Sequence, residues 1–290
     1  MTRSLVFAIA LPTLLPVLAL AAGAPSSSEK EALVLVVTKW NSSCSGSTRS
    51  SWDNMADAWY DDFTDSGSTP GGHSSKAWSR DGFYKNGTIV DSQFTDDDIV
   101  SWGDDDSNDN VDDVDALMVA LHGSHNGGAP GEWRGSVRVD ESGSGNCGAW
   151  QAHMELGDHD LEFLHLSSCH SMCDLNEGYS NWMNAYNELH QVNGFYGLMW
   201  ISTLFNGRYS GFSDDAFDIS IAESWADNQY SGGFWTWGYD HCPVSLVAGN
   251  SSSNASSRVS NEEYDYVYSD PGSTYFCYIS ISGCDPKAHP

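Results

Sequence analysis

The sequence predicts an α/β fold, a three-layer α/β/α sandwich around a mainly parallel sheet. Three features lead there. Ala32–Val37 (ALVLVV), Ala116–Leu121 (ALMVAL) and Leu161–Leu166 (LEFLHL) are short apolar runs, too short for helices and too continuous for half-exposed strands. Segments with helical spacing lie between such runs, and strands alternating with helices favour parallel pairing. About 265 residues beyond the N-terminal leader suffice to bury the core of one large domain.

Along the chain, the leader comes first. Arg3 precedes an apolar run from Leu5 to Leu20, followed by Ala21, Ala22 and Ala24. That pattern reads as a secretory signal peptide over residues 1–24, cut after Ala21 or Ala24. Pro12 and Pro16 interrupt the run, which argues against a stable membrane anchor. Strand ALVLVV is followed by a helix over Trp52–Phe63. Strand ALMVAL comes next, then LEFLHL, a helix over Trp182–Leu189, a fourth strand candidate at Phe195–Ile201, and a helix over Asp214–Trp225. Stretches 65–75, 104–113, 141–145 and 251–260 are rich in Ser, Gly, Asp and Asn and read as loops. The main domain is expected over 25–260, with 261–290 as a C-terminal extension, disulfide-closed if its cysteines pair.

Composition narrows the function. Without Arg3 the chain keeps 11 Lys and Arg against 40 Asp and Glu, a net charge of −29. Such a surface excludes nucleic acid as a partner. Seven cysteines in an exported chain favour disulfides and leave one over. If Cys169 is that one, Cys277 to Cys284 is the simplest local pairing, although the connectivity is not derivable. Sequons at Asn41, Asn86, Asn250 and Asn254 would accept glycans in a eukaryotic secretory pathway.

Two buried strands run directly into reactive residues. ALMVAL leads to His122-Gly123-Ser124, and LEFLHL leads to Ser167-Ser168-Cys169-His170-Ser171. Sites in open α/β sheets gather at the carboxyl ends of strands, so parallel neighbours would bring His122 and Cys169 to one rim. A thiolate could then attack a carbonyl while the imidazole manages the proton. The backbone N–H groups of Gly123 and Cys169 are the natural oxyanion donors. His125, His170 and Ser167 are supporting candidates, and His165, inside its strand, reads as a hydrogen-bonded core residue. The plainer alternatives are a turn at His122-Gly123 and a disulfide at Cys169.

These residues resemble the caspase-like clan, which includes caspases, metacaspases, gingipains and clostripain. In that clan one apolar strand ends in His-Gly and another ends near the nucleophilic Cys. The 47 positions between His122 and Cys169 agree with the caspase spacing of about 50. Cys169-His170-Ser171 is similar to the metacaspase Cys-His-Ser. Glu188–Leu198 and Ala216–Trp225 resemble a group of exported caspase-like proteins. The resemblance implies a caspase-like sandwich and a secreted cysteine peptidase acting on peptide or protein, with transpeptidation as a variant and no organic cofactor. Ser167 and Met172 stand where metacaspases carry Asp and Gly, and the caspase Gln-Ala-Cys is absent, so neither specificity carries over. The competing class is a non-catalytic glycan- or peptide-binding protein on the same scaffold, using aromatic loops such as Trp235 and Trp237.

Two metal readings stand beside this. Asp104, Asp106, Asn108, Asn110, Asp112 and Asp115 occupy positions 1, 3, 5, 7, 9 and 12 of a Ca²⁺ loop, with apolar Val111 at position 8. Asp109 replaces the Gly of position 6 and Asp115 the Glu of position 12, and the alternative is a solvated acidic loop. His122, His125, Cys169, His170 and Cys173 also offer zinc-ligand types, in no established zinc spacing.

Overall fold

A computed structural model describes residues 3–8, 30–40, 44, 46–64, 78–107, 109–125, 132–140, 147–173, 181–233, 238–272 and 275–286. Five strands form the parallel part of the main sheet, in spatial order β3 (Trp78–Lys85), β2 (Lys30–Val36), β4 (Ala116–Ala120), β8 (Phe163–Ser167) and β9 (Gln191–Phe195). Antiparallel β10 (Pro243–Gly249), β11 (Tyr275–Ile281) and edge strand β1 (Arg3–Ala8) extend it beyond β9. A second sheet joins β5 (Gly123–His125), β6 (Trp133–Ser136) and β7 (Gly148–Trp150). The fold is therefore mixed α/β, and the three apolar runs all lie in the parallel half.

Helix α1 (Ser51–Thr64) forms because Trp52, Met55, Ala56, Trp59, Tyr60 and Phe63 recur at helical spacing and all are buried. That stripe packs on Val34, Val36, Met118, Ala120 and Phe163 of the sheet, beside Phe212 of α2 (Asn206–Asp215) and Trp225 of α3 (Ile221–Gln229). Alternation along the strands sends Leu33, Leu35, Leu117, Val119, Leu164 and Leu166 to the other face. There the cover comes from loops and short 3-10 turns carrying Phe94, Val111, Leu156 and Trp182, not from an α-helix among the described residues.

Several expectations need correction. The helix over Trp182–Leu189 is only a 3-10 turn at Asn181–Asn184, because Glu188 holds φ +76° and Trp182 and Tyr186 anchor to Ser171 O and Leu246 O. The single helix over Asp214–Trp225 is split: Ser220 leaves helical geometry and caps α3 by accepting from Glu223 N at 3.2 Å. The fourth strand lies at Gln191–Phe195 rather than Phe195–Ile201, since Gly197 turns away at φ +89°. Its polar Gln191 and Asn193 are buried yet paired: Gln191 Nε2 donates to Asn193, and Asn193 Nδ2 meets His165 Nδ1 at 2.8 Å. The Ser-rich stretch 251–260 is not a loop but lies in helix α4 (Ser252–Asn261), capped by Ser251 and buried through Ala255, Arg258 and Val259. Packing here overrides local preference.

Disulfides join Cys44 to Cys147 and Cys242 to Cys284. The expected Cys277–Cys284 pairing does not form. An extended strand rises about 3.4 Å per residue, and Cys277 sits inside β11 facing Ala255 and Val259 while Cys284 lies beyond the strand end. No helix among the described residues is long and apolar enough to cross a membrane.

Candidate functional site

Register decides where His122 and Cys169 go. β4 and β8 are parallel neighbours with Ala120 opposite Ser167, so His122 and Cys169 each follow two residues later at the same end of the sheet. Gly123 closes the gap between the two tips: a Cβ there would stand 2.2 Å from both Cys169 O and Ser168 Oγ, and 2.7 Å from Trp133 Nε1. Only glycine fits that approach. Ser136 N donates to His122 O at 2.7 Å, which puts Gly123 opposite Gly135 at a non-hydrogen-bonded position. The Gly123 N–H therefore turns away from β6 and stays out of that ladder.

His122 is half-buried between two indoles, with ring centroids 4.6 Å from Trp40 and 4.8 Å from Trp52. Its Nε2 lies 2.8 Å from Ser47 O. A carbonyl only accepts, so Nε2 carries the hydrogen and the neutral ring keeps its lone pair on Nδ1. Burial lowers the His122 pKa, the Ser47 bond opposes this, and the Arg49 charge lowers it further. The imidazole is consequently neutral at pH 7.

Cys169 carries a thiol outside any disulfide. Its Sγ donates to Met199 O at 3.6 Å. Burial pushes this thiol up to about 11, against smaller lowering effects from Met199 O and Arg49. One guanidinium thus acts on both members of the pair, although no hydrogen bond joins His122 to Cys169 among the described residues. The turn after β8 is pinned from below: Ser171 Oγ donates to Ser168 O at 3.0 Å and accepts from Phe195 N at 2.8 Å. Ser167 is buried under the turn, with its Oγ 2.7 Å from Tyr209 OH. His170 holds φ +56° and its N donates to Gly197 O at 2.7 Å.

A family profile described as "Domain of unknown function (DUF6345)" matches residues 40–270. The chain belongs to the DUF6345 family. The matched span of this DUF6345 protein includes α1, β3 to β10 and α4, and with them Trp40, Ser47, Arg49, His122, Gly123 and Cys169. No curated protein and no solved structure matches the chain.

Of the five zinc-ligand types in the DUF6345 chain, the structure clusters three: ligand atoms of His125, His170 and Cys173 lie within 4.8 Å of one another. His170 Nδ1 is 3.1 Å from Cys173 Sγ, and the His125 and His170 rings are 5.2 Å apart. His122 and Cys169 stand outside that group. His165 is fully buried, with Nε2 2.8 Å from Tyr264 OH, and burial drives its pKa down to about 3.

The spaced acidic set is dispersed. The Asp104 carboxylate accepts from Ser107 Oγ, and its carbonyl accepts from Asn110 Nδ2. Asp115 Oδ2 accepts from Glu31 N at 2.6 Å. Asp112 caps another loop, accepting from Gly157 N, His159 N and Leu161 N. Asn108 lies outside the described residues, as do Trp235 and Trp237. Asp106 and Asp112 do come together, with Asp158 as their third neighbour.

Sequence reading missed the shell around His122. Trp40, Ser47 and Arg49 arrive on a segment tied by Cys44 to Cys147, and no local spacing signals that closure. The Trp-rich start of α1 was legible as a core stripe, and only the fold shows Trp52 also bounding the imidazole.

Proposed function

We propose that this protein is an exported cysteine peptidase with a caspase-like sandwich fold, acting on peptide or protein through Cys169 and His122. The observation that carries the reading is the β4–β8 register, with Gly123 packed against the carbonyl of Cys169. Cys169 Sγ forms a bond to the substrate carbonyl carbon, and its proton passes to Nδ1 of neutral His122. The oxygen that gains charge is met by the Gly123 and Cys169 N–H groups, each donor contributing on the order of 3 kcal/mol to the transition state. His122 then returns the proton to the leaving amine as the C–N bond breaks, leaving a thioester on Cys169. Water hydrolyses it, or an amine takes the acyl group in transpeptidation.

The two disulfides fit an oxidising compartment, and the leader pattern over 1–24 reads as an export signal, whose removal would take edge strand β1 from β11. Ser167, which the resemblance aligns with the metacaspase acid, is buried against Tyr209 OH, and this supports no selection for a basic side chain. A second reading, a non-catalytic binding protein on the same scaffold, draws on one observation: burial keeps the Cys169 thiol protonated and no hydrogen bond links it to His122.

A mixed peptide library incubated with wild type, Cys169→Ala and His122→Ala separates the two. Cleavage products formed by wild type and absent from both variants support the peptidase. Peptide or glycan retention by all three proteins, with no cleavage by any, establishes the binding protein.

A further inference from the structure

At the N-terminal ends of β4 and β8, opposite the His122–Cys169 rim, the chain gathers carboxylates from the two segments that lead into those strands. Ligand oxygens of Asp96, Asp105 and Asp106 lie within 4.8 Å of one another, and Asp106 shares a second such group with Asp112 and Asp158. Acidic clusters are common on a chain of this charge and prove nothing alone. Asp105 adds the second observation. It is 1% exposed, and its Oδ2 has no hydrogen-bond partner among the described residues, although it faces two more carboxylates. A buried carboxyl oxygen left this way is costly unless a donor or a cation meets it. Among the described residues no Lys or Arg pairs with Asp96, Asp105, Asp106 or Asp158.

The neighbouring bonds sort ligands from scaffold. Asp112 spends both oxygens on backbone N–H groups, at 2.8 and 3.1 Å for Oδ1 and 3.0 and 3.2 Å for Oδ2, so it holds the loop rather than an ion. Asp96 commits Oδ1 to Asp98 N and Ile99 N. Its orientation is thereby fixed while Oδ2 takes no part in those bonds. Asp158 Oδ1 is likewise buried without a partner. The geometry points to a Ca²⁺ site centred on Asp96, Asp105 and Asp106, with Asp158 adjoining it through Asp106. An all-oxygen set of several carboxylates carried on loops suits Ca²⁺, whereas Mg²⁺ keeps most of its waters and demands a strict octahedron. The ligands differ from the loop-spacing set, sharing only Asp106 with it. Because 96–106 lead into β4 and Asp158 leads into β8, the ion would tie together the two segments that feed the reactive strands.

The test uses the full chain freed of cations with EDTA, then titrated with CaCl₂ alone by calorimetry and followed by thermal melting. Wild type is expected to take up one Ca²⁺ saturably and melt higher with Ca²⁺ than with EDTA, since binding to the folded state alone stabilises it. Asp105→Asn should weaken uptake by about tenfold or more. In EDTA this variant should melt no lower than wild type, because it replaces a carboxyl crowded by Asp96 and Asp106 with a neutral amide of nearly the same shape. Asp104→Asn, at an exposed residue bonded to Ser107, should bind as wild type does. The exposed ligand Asp106→Asn provides an independent loss of affinity should Asp105→Asn fold poorly. No uptake at millimolar Ca²⁺, equal binding by wild type and both ligand variants, or equal competition by Mg²⁺ would overturn the assignment.

Discussion

Gly123→Ala probes the contact on which the site depends. Its added Cβ would sit 2.2 Å from Cys169 O, where a carbon–oxygen contact ordinarily needs about 3.3 Å. The overlap of about 1 Å is with backbone, which no rotamer change relieves. Overpacking of this kind costs about 1–3 kcal/mol. For a domain of this size each kcal/mol moves Tm by roughly 2–4 °C, so the expected fall is about 2–12 °C. Gly87→Ala is the matched control, since a Cβ there meets nothing within 4 Å. It should be neutral or slightly stabilising through the unfolded chain. Both variants are melted beside wild type, and iodoacetamide labelling of Cys169 is followed by mass spectrometry. Gly123→Ala should melt lower and change the Cys169 labelling rate. Coincident melting of the two variants would show that the His-Gly tip does not rest on the Cys169 carbonyl.

Further outcomes follow from the same chemistry. The Cys169 thiol is pushed up to about 11, so its labelling should climb about tenfold per pH unit between pH 8 and 10, and a plateau below pH 8 would contradict that environment. Burial opposes protonation of His190, but hydrogen bonds to Asp270 and Glu262 outweigh it and raise the pKa. Its stabilisation is then complete below the unfolded value of about 6.5 and lost as pH rises through the raised folded value. His190→Gln should accordingly cost more at pH 6 than at pH 9 in urea melts, and equal costs would refute the linkage. Removing Cys44–Cys147, which spans 103 positions, should destabilise more than removing Cys242–Cys284, which spans 42. Chain entropy sets the difference at about 0.8 kcal/mol, and denaturant titration of the two double Cys→Ser variants would expose the reverse order.

The sequence by itself determined the elements whose signal is local. Continuous apolar runs marked β2, β4 and β8, and the aromatic stripe from Trp52 to Phe63 marked α1, because burial on both faces of a strand or one face of a helix leaves a periodicity that needs no partner to be read. That His122 and Cys169 directly follow two such runs was equally legible. What the sequence misplaced had its reason elsewhere in space. Gln191 and Asn193 sit in a central strand because Gln191 Nε2 pairs with Asn193 and Asn193 pairs with His165, and a Ser-rich stretch is helical because Ala255 and Val259 find Val247 and Cys277.

Only the tertiary structure decided the neighbourhoods. It set the β4–β8 register, brought Ser47 and Arg49 to His122 through a distant disulfide, and paired Cys284 with Cys242. It also dispersed an acidic set spaced like a calcium loop while drawing Asp96 and Asp158 toward Asp105 and Asp106. Hydrogen bonds, charge and packing act over a few ångströms of space, whatever number of residues separates the groups along the chain.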